Sequence, residues 1–353
     1  MNDLVIATVA SAAPMGAQVY ERAIVEGAAR ALATRDGGWE VSHLVARSLR
    51  SPLAGTARLP MRLLERNGGA LRRAVGSLTY PRQSLVHRMS LSLPPAPNEV
   101  VTLHDVVAWR FPDEGAVIRS AGAELRAARA VICVSQATAD DAQQLLGLTN
   151  THVVYPGISE DFRNARPLDP GRLRELSIKQ PYIVHAGGAS NRKNLGALAD
   201  AWSVVARECP ELSLVLSGPP HPHRTALFST LPRTRLIGRT GNADVPGLLA
   251  GATALVVPSL HEGFGLPVLE GMAAGVPVVA ANSTSLPEVA GGAALLVPPT
   301  AEGVADGLLA ILRGKVDVER MISHGRARSA EFTWERCLDR HAAIWRAAAE
   351  DAA

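Results

Sequence analysis

Aromatic side chains are scarce in this chain: five Phe, five Trp and four Tyr among 353 residues, 4% in all. So few rings offer little for the stacking platforms that hold single-stranded nucleic acid. Cysteine is scarcer still. Cys133, Cys209 and Cys337 are widely spaced and none lies in a Cys-x-x-Cys pair, which speaks against a disulfide framework or a zinc knuckle and fits a reducing cytoplasm. No apolar run approaches the ~18 residues of a bilayer span; the longest, about ten residues around Leu248 to Val257, is broken by Gly251. No Lys or Arg precedes the apolar stretch after Asp3, unlike a secretory leader, so the start reads as a first buried strand. Two motifs are missing as well. There is no Asp-x-Asp at a strand end to hold a metal, and no Gly-x-Gly-x-x-Gly between the first strand and helix, which a nicotinamide-binding domain would want.

What is present describes a globular protein. With 47% hydrophobic and 20% charged residues the chain can bury one or two cores, and its length suggests about two domains. The net charge of +3 is far below that of a dedicated nucleic-acid binder, so no nucleic-acid partner is expected. The basic surplus is local. Between Val41 and Ser90 stand Arg47, Arg50, Arg58, Arg62, Arg66, Arg72, Arg73, Arg82 and Arg88 against the single acid Glu65. A solvated helical face accounts for this, and so does a docking strip over 47–88 for a phosphate-bearing acceptor or a membrane surface.

Short apolar runs bounded by turns alternate with segments of helical period. In the first half the strand-like runs are Leu4 to Val9, Glu99 to Leu103, Ala130 to Val134 and Thr151 to Val154. In the second they are Tyr182 to Ala186, Leu212 to Leu216, Thr234 to Ile237, Ala254 to Val257, Val276 to Ala280 and Ala294 to Val297, with helices such as Leu195 to Arg207 between them. This rhythm predicts an α/β protein of two Rossmann-like, doubly wound domains. Residues 1–165 form the first domain, 166–180 a proline-bearing linker and 181–332 the second. A final helix within 333–353 returns towards the first. Such sheets bind ligands beyond the carboxyl ends of their strands, so the loops after Ala186, Leu216, Ile237 and Val257 should line a site.

The strongest local signal runs from Pro258 to Val279. An apolar strand enters the loop Leu260-His261-Glu262-Gly263-Phe264-Gly265, Pro267 sits where a first helical turn tolerates it, and a second strand follows Gly275. Backbone N–H groups of Gly263, Phe264, Gly265 and Leu266 at a helix N-terminus could hold phosphate or sugar oxygens. Two carboxylates, Glu262 and Glu270, stand eight residues apart. Upstream, Arg192 and Lys193 follow a strand and the Gly187-Gly188 turn, where this architecture expects an anion site.

Here the chain resembles the retaining glycosyltransferases of family 4, which have the GT-B fold and carry a Glu-x7-Glu motif at this place. Glu262 and Glu270 keep that spacing, and the flanking Gly-Phe-Gly-Leu-Pro and Ala-Ala-Gly-Val-Pro-Val-Val match too. His185-Ala-Gly-Gly-Ala-Ser-Asn-Arg-Lys-Asn194 is similar to the family's basic diphosphate-binding loop, Thr102-Leu-His104-Asp105 to its first-lobe histidine element, and Leu216-Ser-Gly218-Pro and Ser285-Leu-Pro-Glu288-Val also fit. The resemblance implies two lobes facing a central cleft. Glu270 would accept hydrogen bonds from the donor's ribose, Glu262 would contact the transferred sugar, Arg192 and Lys193 would meet the leaving diphosphate, and His104 would hydrogen-bond the sugar. Gly187, Gly188 and Gly218 would belong to the donor site. Gly16 would let the first loop approach the donor phosphate, although Pro14-Met15-Gly16 stands where relatives often have paired glycines. Ser135, Gln136 and Gly157 are further candidates for lining the cleft.

The implied reaction is front-face transfer with retention, needing no metal and no cofactor beyond the nucleotide-diphosphate sugar donor. Residues 102–112 look most like the mannosyltransferase branch, which implies GDP-mannose; UDP-sugar, GDP-fucose and dTDP-rhamnose donors stay open. The acceptor would be a glycan or lipid-linked hydroxyl, at a cytoplasmic site peripheral to the membrane. An inverting transferase or epimerase of the same fold, a nicotinamide-dependent dehydrogenase and a non-catalytic sugar-binding pair of lobes are the rival readings.

Overall fold

The computed structural model describes residues 2–12, 16–33, 38–241 and 243–350. Two all-parallel sheets organise it. The first contains β1 (Asn2–Val9), β2 (Trp39–Ser48), β3 (Ala57–Leu59), β4 (Leu85–Arg88), β5 (Glu99–Leu103), β6 (Ala130–Cys133) and β7 (Thr151–Val153), in the order β3-β2-β1-β4-β5-β6-β7. The second contains β8 (Tyr182–Ala186), β9 (Ser213–Ser217), β10 (Thr234–Gly238), β11 (Ala254–Val257), β12 (Val278–Ala281) and β13 (Leu295–Val297), in the order β10-β9-β8-β11-β12-β13.

Parallel strands covered on both faces must be apolar throughout rather than alternating, and the central runs Ile183-Val184, Leu214-Val215-Leu216 and Leu255-Val256 are fully buried. Helix Leu195–Glu208 lays Leu195, Leu198, Trp202 and Val205 on one stripe at spacings of three and four. Beside it helix Ala301–Leu312 contributes Val304, Leu308 and Ile311 to the same core.

The chain divides into two compact units, Met1–Gly157 with Thr333–Ala353, and Ile158–Phe332. The boundary thus falls after Gly157, earlier than the sequence suggests. Residues 166–180 are not a bare linker: helix Pro170–Glu175 is capped by Asp169, the Leu168 N–H bonds Gly247 O at 3.3 Å, and Arg172 Nη2 pairs with Asp244 at 2.6 Å, all within the second unit. Helix Trp334–Glu350 belongs to the first unit. There His341 Nε2 meets Tyr20 Oη at 2.8 Å and the Trp345 indole donates to His87 Nδ1 at 3.3 Å.

The arginine-rich segment departs furthest from expectation. It supplies β2, β3 and β4, and two of its arginines are internal. Arg72 and Arg88 are fully buried, joined by Glu124, which accepts from Arg72 Nε at 2.6 Å and Arg88 Nη1 at 3.0 Å, while Glu99 lies 2.9 Å from Arg88 Nε. Breaking such a pair costs about 3–5 kcal/mol, because the other charge is left buried alone. These two cations therefore cannot dock a partner. Arg50, Arg58, Arg62, Arg66, Arg73 and Arg82 remain exposed. Among the described residues no helix is long and apolar enough to cross a membrane.

Candidate functional site

In the second unit the strand order runs outwards from β8 to β10 on one side and from β11 to β13 on the other. The direction reverses between β8 and β11, so the loops leaving their carboxyl ends emerge side by side, the usual ligand position in an open α/β sheet. The two loops are tied together. Leu260 N–H donates to Arg192 O at 2.7 Å, and Asn194, in the left-handed region at φ +55°, donates from Nδ2 to Pro258 O at 3.0 Å.

This places both cations on one carboxylate. Glu262 accepts from Arg192 Nη1 at 2.8 Å, Lys193 Nζ at 2.6 Å and Ser259 Oγ at 2.7 Å. Its backbone is held as well: its N–H donates to Thr284 Oγ1 at 3.0 Å and its carbonyl accepts from Ser285 Oγ at 2.9 Å. Burial would raise this carboxyl, but Lys193 and Arg192, with the hydrogen bonds of Lys193 and Ser259, bring it down to about 2. Glu262 is thus a fixed anion that holds the two cations in place.

Gly265 precedes helix Leu266–Ala274 at φ +103°, where a Cβ would lie 2.7 Å from Leu286 Cδ2, so glycine is needed for both reasons. Phe264 turns its ring inwards against Phe332, 5.7 Å between centroids, and a ligand would meet only its main chain. Glu270 is unlike Glu262. It is half-buried, has no hydrogen-bond or ion-pair partner among the described residues, and burial pushes its carboxyl up to about 7. It sits in the second turn of its helix, beyond the reach of the N-terminal dipole.

Three residues of this site carry roles that the sequence did not assign, His185 among them although it heads the loop motif. Ser259 holds Glu262, as described. His185 Nδ1 lies 3.1 Å from Val256 O, so that nitrogen carries the proton; Nε2 is buried with no partner among the described residues, and burial lowers the imidazole to about 4. Arg224, from helix Pro222–Phe228, donates to the carbonyls of Gly187 and Gly188. Gly218 serves this contact: a Cβ there would lie 2.0 Å from Gly187 O and 2.7 Å from Arg224 Nη1. Around Gly188 the space is open, with no atom within 4 Å of a Cβ position.

In the first unit His104 follows β5. Its ring stands edge-on to Tyr20 at 5.1 Å, Nε2 is buried without a partner among the described residues, and burial lowers it to about 4, so it is neutral at pH 7. It can hydrogen-bond, but it carries no proton to give as an acid near neutrality. Asp105 accepts from Val107 N–H at 3.1 Å. Gly16 is exposed at the start of helix Gly16–Leu32, and Pro14 and Met15 lie outside the described residues. Ser135 caps helix Gln136–Leu146 by accepting from Thr138 N–H at 3.0 Å, and Gln136 Nε2 bonds Asp140 at 2.8 Å, so both side chains have local structural partners. Gly157 closes the first unit against the backbone of Trp334. Among the described residues no three His, Cys, Asp or Glu side chains are grouped to hold a metal ion.

A model of the family described as glycosyl transferases group 1 matches residues 180–314, the part that carries this site. The chain is 30% identical over 256 residues to the O-antigen chain mannosyltransferase B of Escherichia coli, covering 67% of each protein. It is 28% identical over 226 residues to the MMP alpha-(1->4)-mannosyltransferase of Mycolicibacterium hassiacum, covering 61% of this chain and 53% of that one. It matches only 28% of the length of the serotype-specific mannosyltransferase WbdA of Escherichia coli, at 30% identity over 60% of this chain. Among solved structures, sucrose-phosphate synthase from Thermosynechococcus elongatus superposes with a TM-score of 0.71 at 21% identity, over 97% of this chain and 98% of that one. Anabaena HepE, solved in complex with UDP-glucose, gives 0.71 at 18% identity over 96% and 98%. Those likenesses carry the GT-B fold, and the relatives carry the family. The chain belongs to the group 1 glycosyltransferases, the family 4 type of GT-B fold, in their mannosyltransferase-like branch.

Proposed function

We propose that the protein transfers a mannosyl group from GDP-mannose, with retention and without a metal, to a hydroxyl of a glycan or lipid-linked acceptor. The observation that carries this reading is the convergence of Arg192, Lys193, Glu262 and the Gly187-Gly188 turn at the β8/β11 reversal, within a chain 30% identical to an O-antigen chain mannosyltransferase. The diphosphate gains charge as the bond from the sugar's anomeric carbon to its oxygen breaks. Cations already held by Glu262 need no rearrangement to meet that charge, so they stabilise the transition state more than the ground state. The acceptor oxygen then bonds the anomeric carbon on the face the diphosphate leaves, and its proton passes to a phosphate oxygen. Glu270, without a partner among the described residues, accepts from the ribose hydroxyls, and neutral His104 hydrogen-bonds the sugar. Nucleoside diphosphate release from GDP-mannose, UDP-glucose, GDP-fucose and dTDP-rhamnose, with and without EDTA, tests the donor and the metal; NMR of the anomeric proton of the product tests retention. Release from GDP-mannose alone, undiminished by EDTA, with an α product is expected. An EDTA loss restored by manganese, or a β product, would overturn the corresponding part.

The acceptor side of this reading includes a peripheral membrane contact. Leu71, Ala74 and Leu78 lie on one stripe of helix Gly69–Thr79, at spacings of three and four, and all are exposed, Leu78 to 88%. Exposed Leu63 lies on helix Met61–Arg66 with Arg62 and Arg66, and Arg73 lies near the leucine stripe in sequence. Apolar side chains beside arginines and almost no acids suit an anionic bilayer surface, where each basic residue adds about 1 kcal/mol, roughly fivefold in affinity. Sedimentation with phosphatidylglycerol-containing vesicles, but not with phosphatidylcholine alone, is expected, and Leu71→Asp with Leu78→Asp should reduce it at least tenfold. Binding unaffected by that pair would remove the contact.

A further inference from the structure

Arg224 is a buried cation without an anion. It is 2% exposed, no carboxylate among the described residues pairs with it, and its only hydrogen-bond partners are three carbonyls: Gly187 O, Gly188 O at 2.6 Å and Pro219 O at 3.2 Å. Burying a lone charge costs several kcal/mol unless its surroundings replace water, and an apolar side chain would fill the same volume without that cost. The geometry shows what the charge is used for. In a trans peptide the C=O and N–H point in opposite directions. A guanidinium that captures Gly187 O and Gly188 O therefore turns the N–H groups of Gly188 and Ala189 away from itself. Neither N–H has a partner among the described residues. Near Gly187 lie two further polar atoms: a Cβ built on it would be 3.7 Å from the orphaned His185 Nε2 and 3.9 Å from Lys193 Nζ. Two aligned amides beside a lysine form a concavity for an anion.

We propose that Arg224 is a positioning residue for the donor's diphosphate: by holding the Gly187 and Gly188 carbonyls it aims the Gly188 and Ala189 amides at phosphate oxygens, while its unpaired charge adds to the field there. This rests on the reading of the β8 loop as the diphosphate site. The fork of a guanidinium can hold two carbonyls at once, whereas an ammonium is a point donor. Arg224→Lys thus keeps the charge and loses the clamp, and Arg224→Gln loses both.

The test is calorimetric affinity of the full chain for GDP and UDP, with hydrogen exchange of the 186–194 backbone as the structural readout and Lys193→Ala as the reference. The nucleotide that binds the parent protein is expected to bind Arg224→Lys at least tenfold more weakly and Arg224→Gln more weakly still, with faster exchange at Gly188 and Ala189 and kcat reduced less than KM for the donor rises. Gly218→Ala, whose Cβ would press on both Gly187 O and the Arg224 guanidinium while leaving the arginine in the sequence, should weaken binding in the same direction and serves if Arg224→Gln does not fold. Unchanged affinity and exchange in folded Arg224→Lys, with affinity lost in Lys193→Ala, would overturn the positioning role alone. Affinity unchanged in Lys193→Ala as well, or no binding of either nucleotide to the parent, would overturn the diphosphate site and this role with it.

Discussion

Lys193→Ala is expected to lower turnover at least tenfold, towards the ~10²–10³ that removal of one preorganised charge donor costs, while the protein stays folded. Lys193 is 8% exposed and its ammonium bonds Glu262 Oε1 at 2.6 Å, so the substitution has two consequences. The leaving diphosphate loses one cation, and Glu262 loses the stronger of the two charges that keep its carboxyl low. Arg192 and Ser259 still engage Glu262, which is why folding should survive. Because the lost interaction is strongest in the transition state, the fall should appear mainly in kcat. Steady-state kinetics with a donor in excess measures this, and near-normal turnover would remove Lys193 from the chemistry.

Acid is expected to unfold the first unit before the second. Burial lowers His104 and His341 to about 4, and burial with the neighbouring His341 and His104 holds His87 well below its ordinary value, so in the folded first unit all three are neutral. An unfolded chain protonates them near 6.5. A depressed folded value means that their stabilisation is complete above pH ~6.5 and is lost as pH falls, for His104 and His341 down to about 4 and by roughly 3 kcal/mol each. Glu21, which burial raises to about 7, opposes this over part of the range, since its neutral form favours the folded state in acid. Glu99, also raised by burial, opposes it too, while His43, lowered by burial, adds to it, so lowered histidines outnumber raised carboxyls in this unit and leave a net loss. In the second unit His185, lowered to about 4, and Glu270, raised to about 7, act in opposite directions and largely offset each other. Calorimetry between pH 7.5 and 5 should show the transition containing helix Trp334–Glu350 moving down first, and His341→Gln should flatten that shift. A transition that does not move over this range would contradict neutral burial of these rings.

The strands legible in the sequence were those made of one apolar run. All six of the second sheet lie within about two residues of the runs read from composition and turns, because a strand covered on both faces has no polar positions to disguise it. The strands that escaped detection contain polar residues. β4 is Leu85-Val86-His87-Arg88, entirely buried, with Arg88 paired to Glu99 and Glu124 and His87 bonded to Thr102 Oγ1 at 2.8 Å. In β2 the buried positions are few, so no apolar alternation marks it. A local pattern cannot announce that a charge will be buried when its partner stands 36 residues away, as Glu124 does from Arg88. The same limit explains the misplaced linker. Proline and mixed charge mark residues 166–180 as a linker, yet they hold helix Pro170–Glu175 and their attachment depends on Gly247 and Asp244, distant in sequence.

By itself the sequence determined the α/β class, the alternation of strand and helix in the second unit, and the chemical inventory of the site: two carboxylates at fixed spacing, two adjacent cations and glycines where the backbone must turn. Those are properties of neighbouring residues, set by periodicity, turn preference and motif spacing. The tertiary structure alone decided which of them meet. The placing of β8 beside β11 brings Arg192 and Lys193 onto a carboxylate about 70 positions away, makes one glutamate a firm anion and leaves the other unpaired near neutrality, and puts Arg224 behind the glycine turn. Charge pairing, desolvation and the direction of a peptide plane depend on distances between segments, and only the sheet order and the packing of helices upon it set those distances.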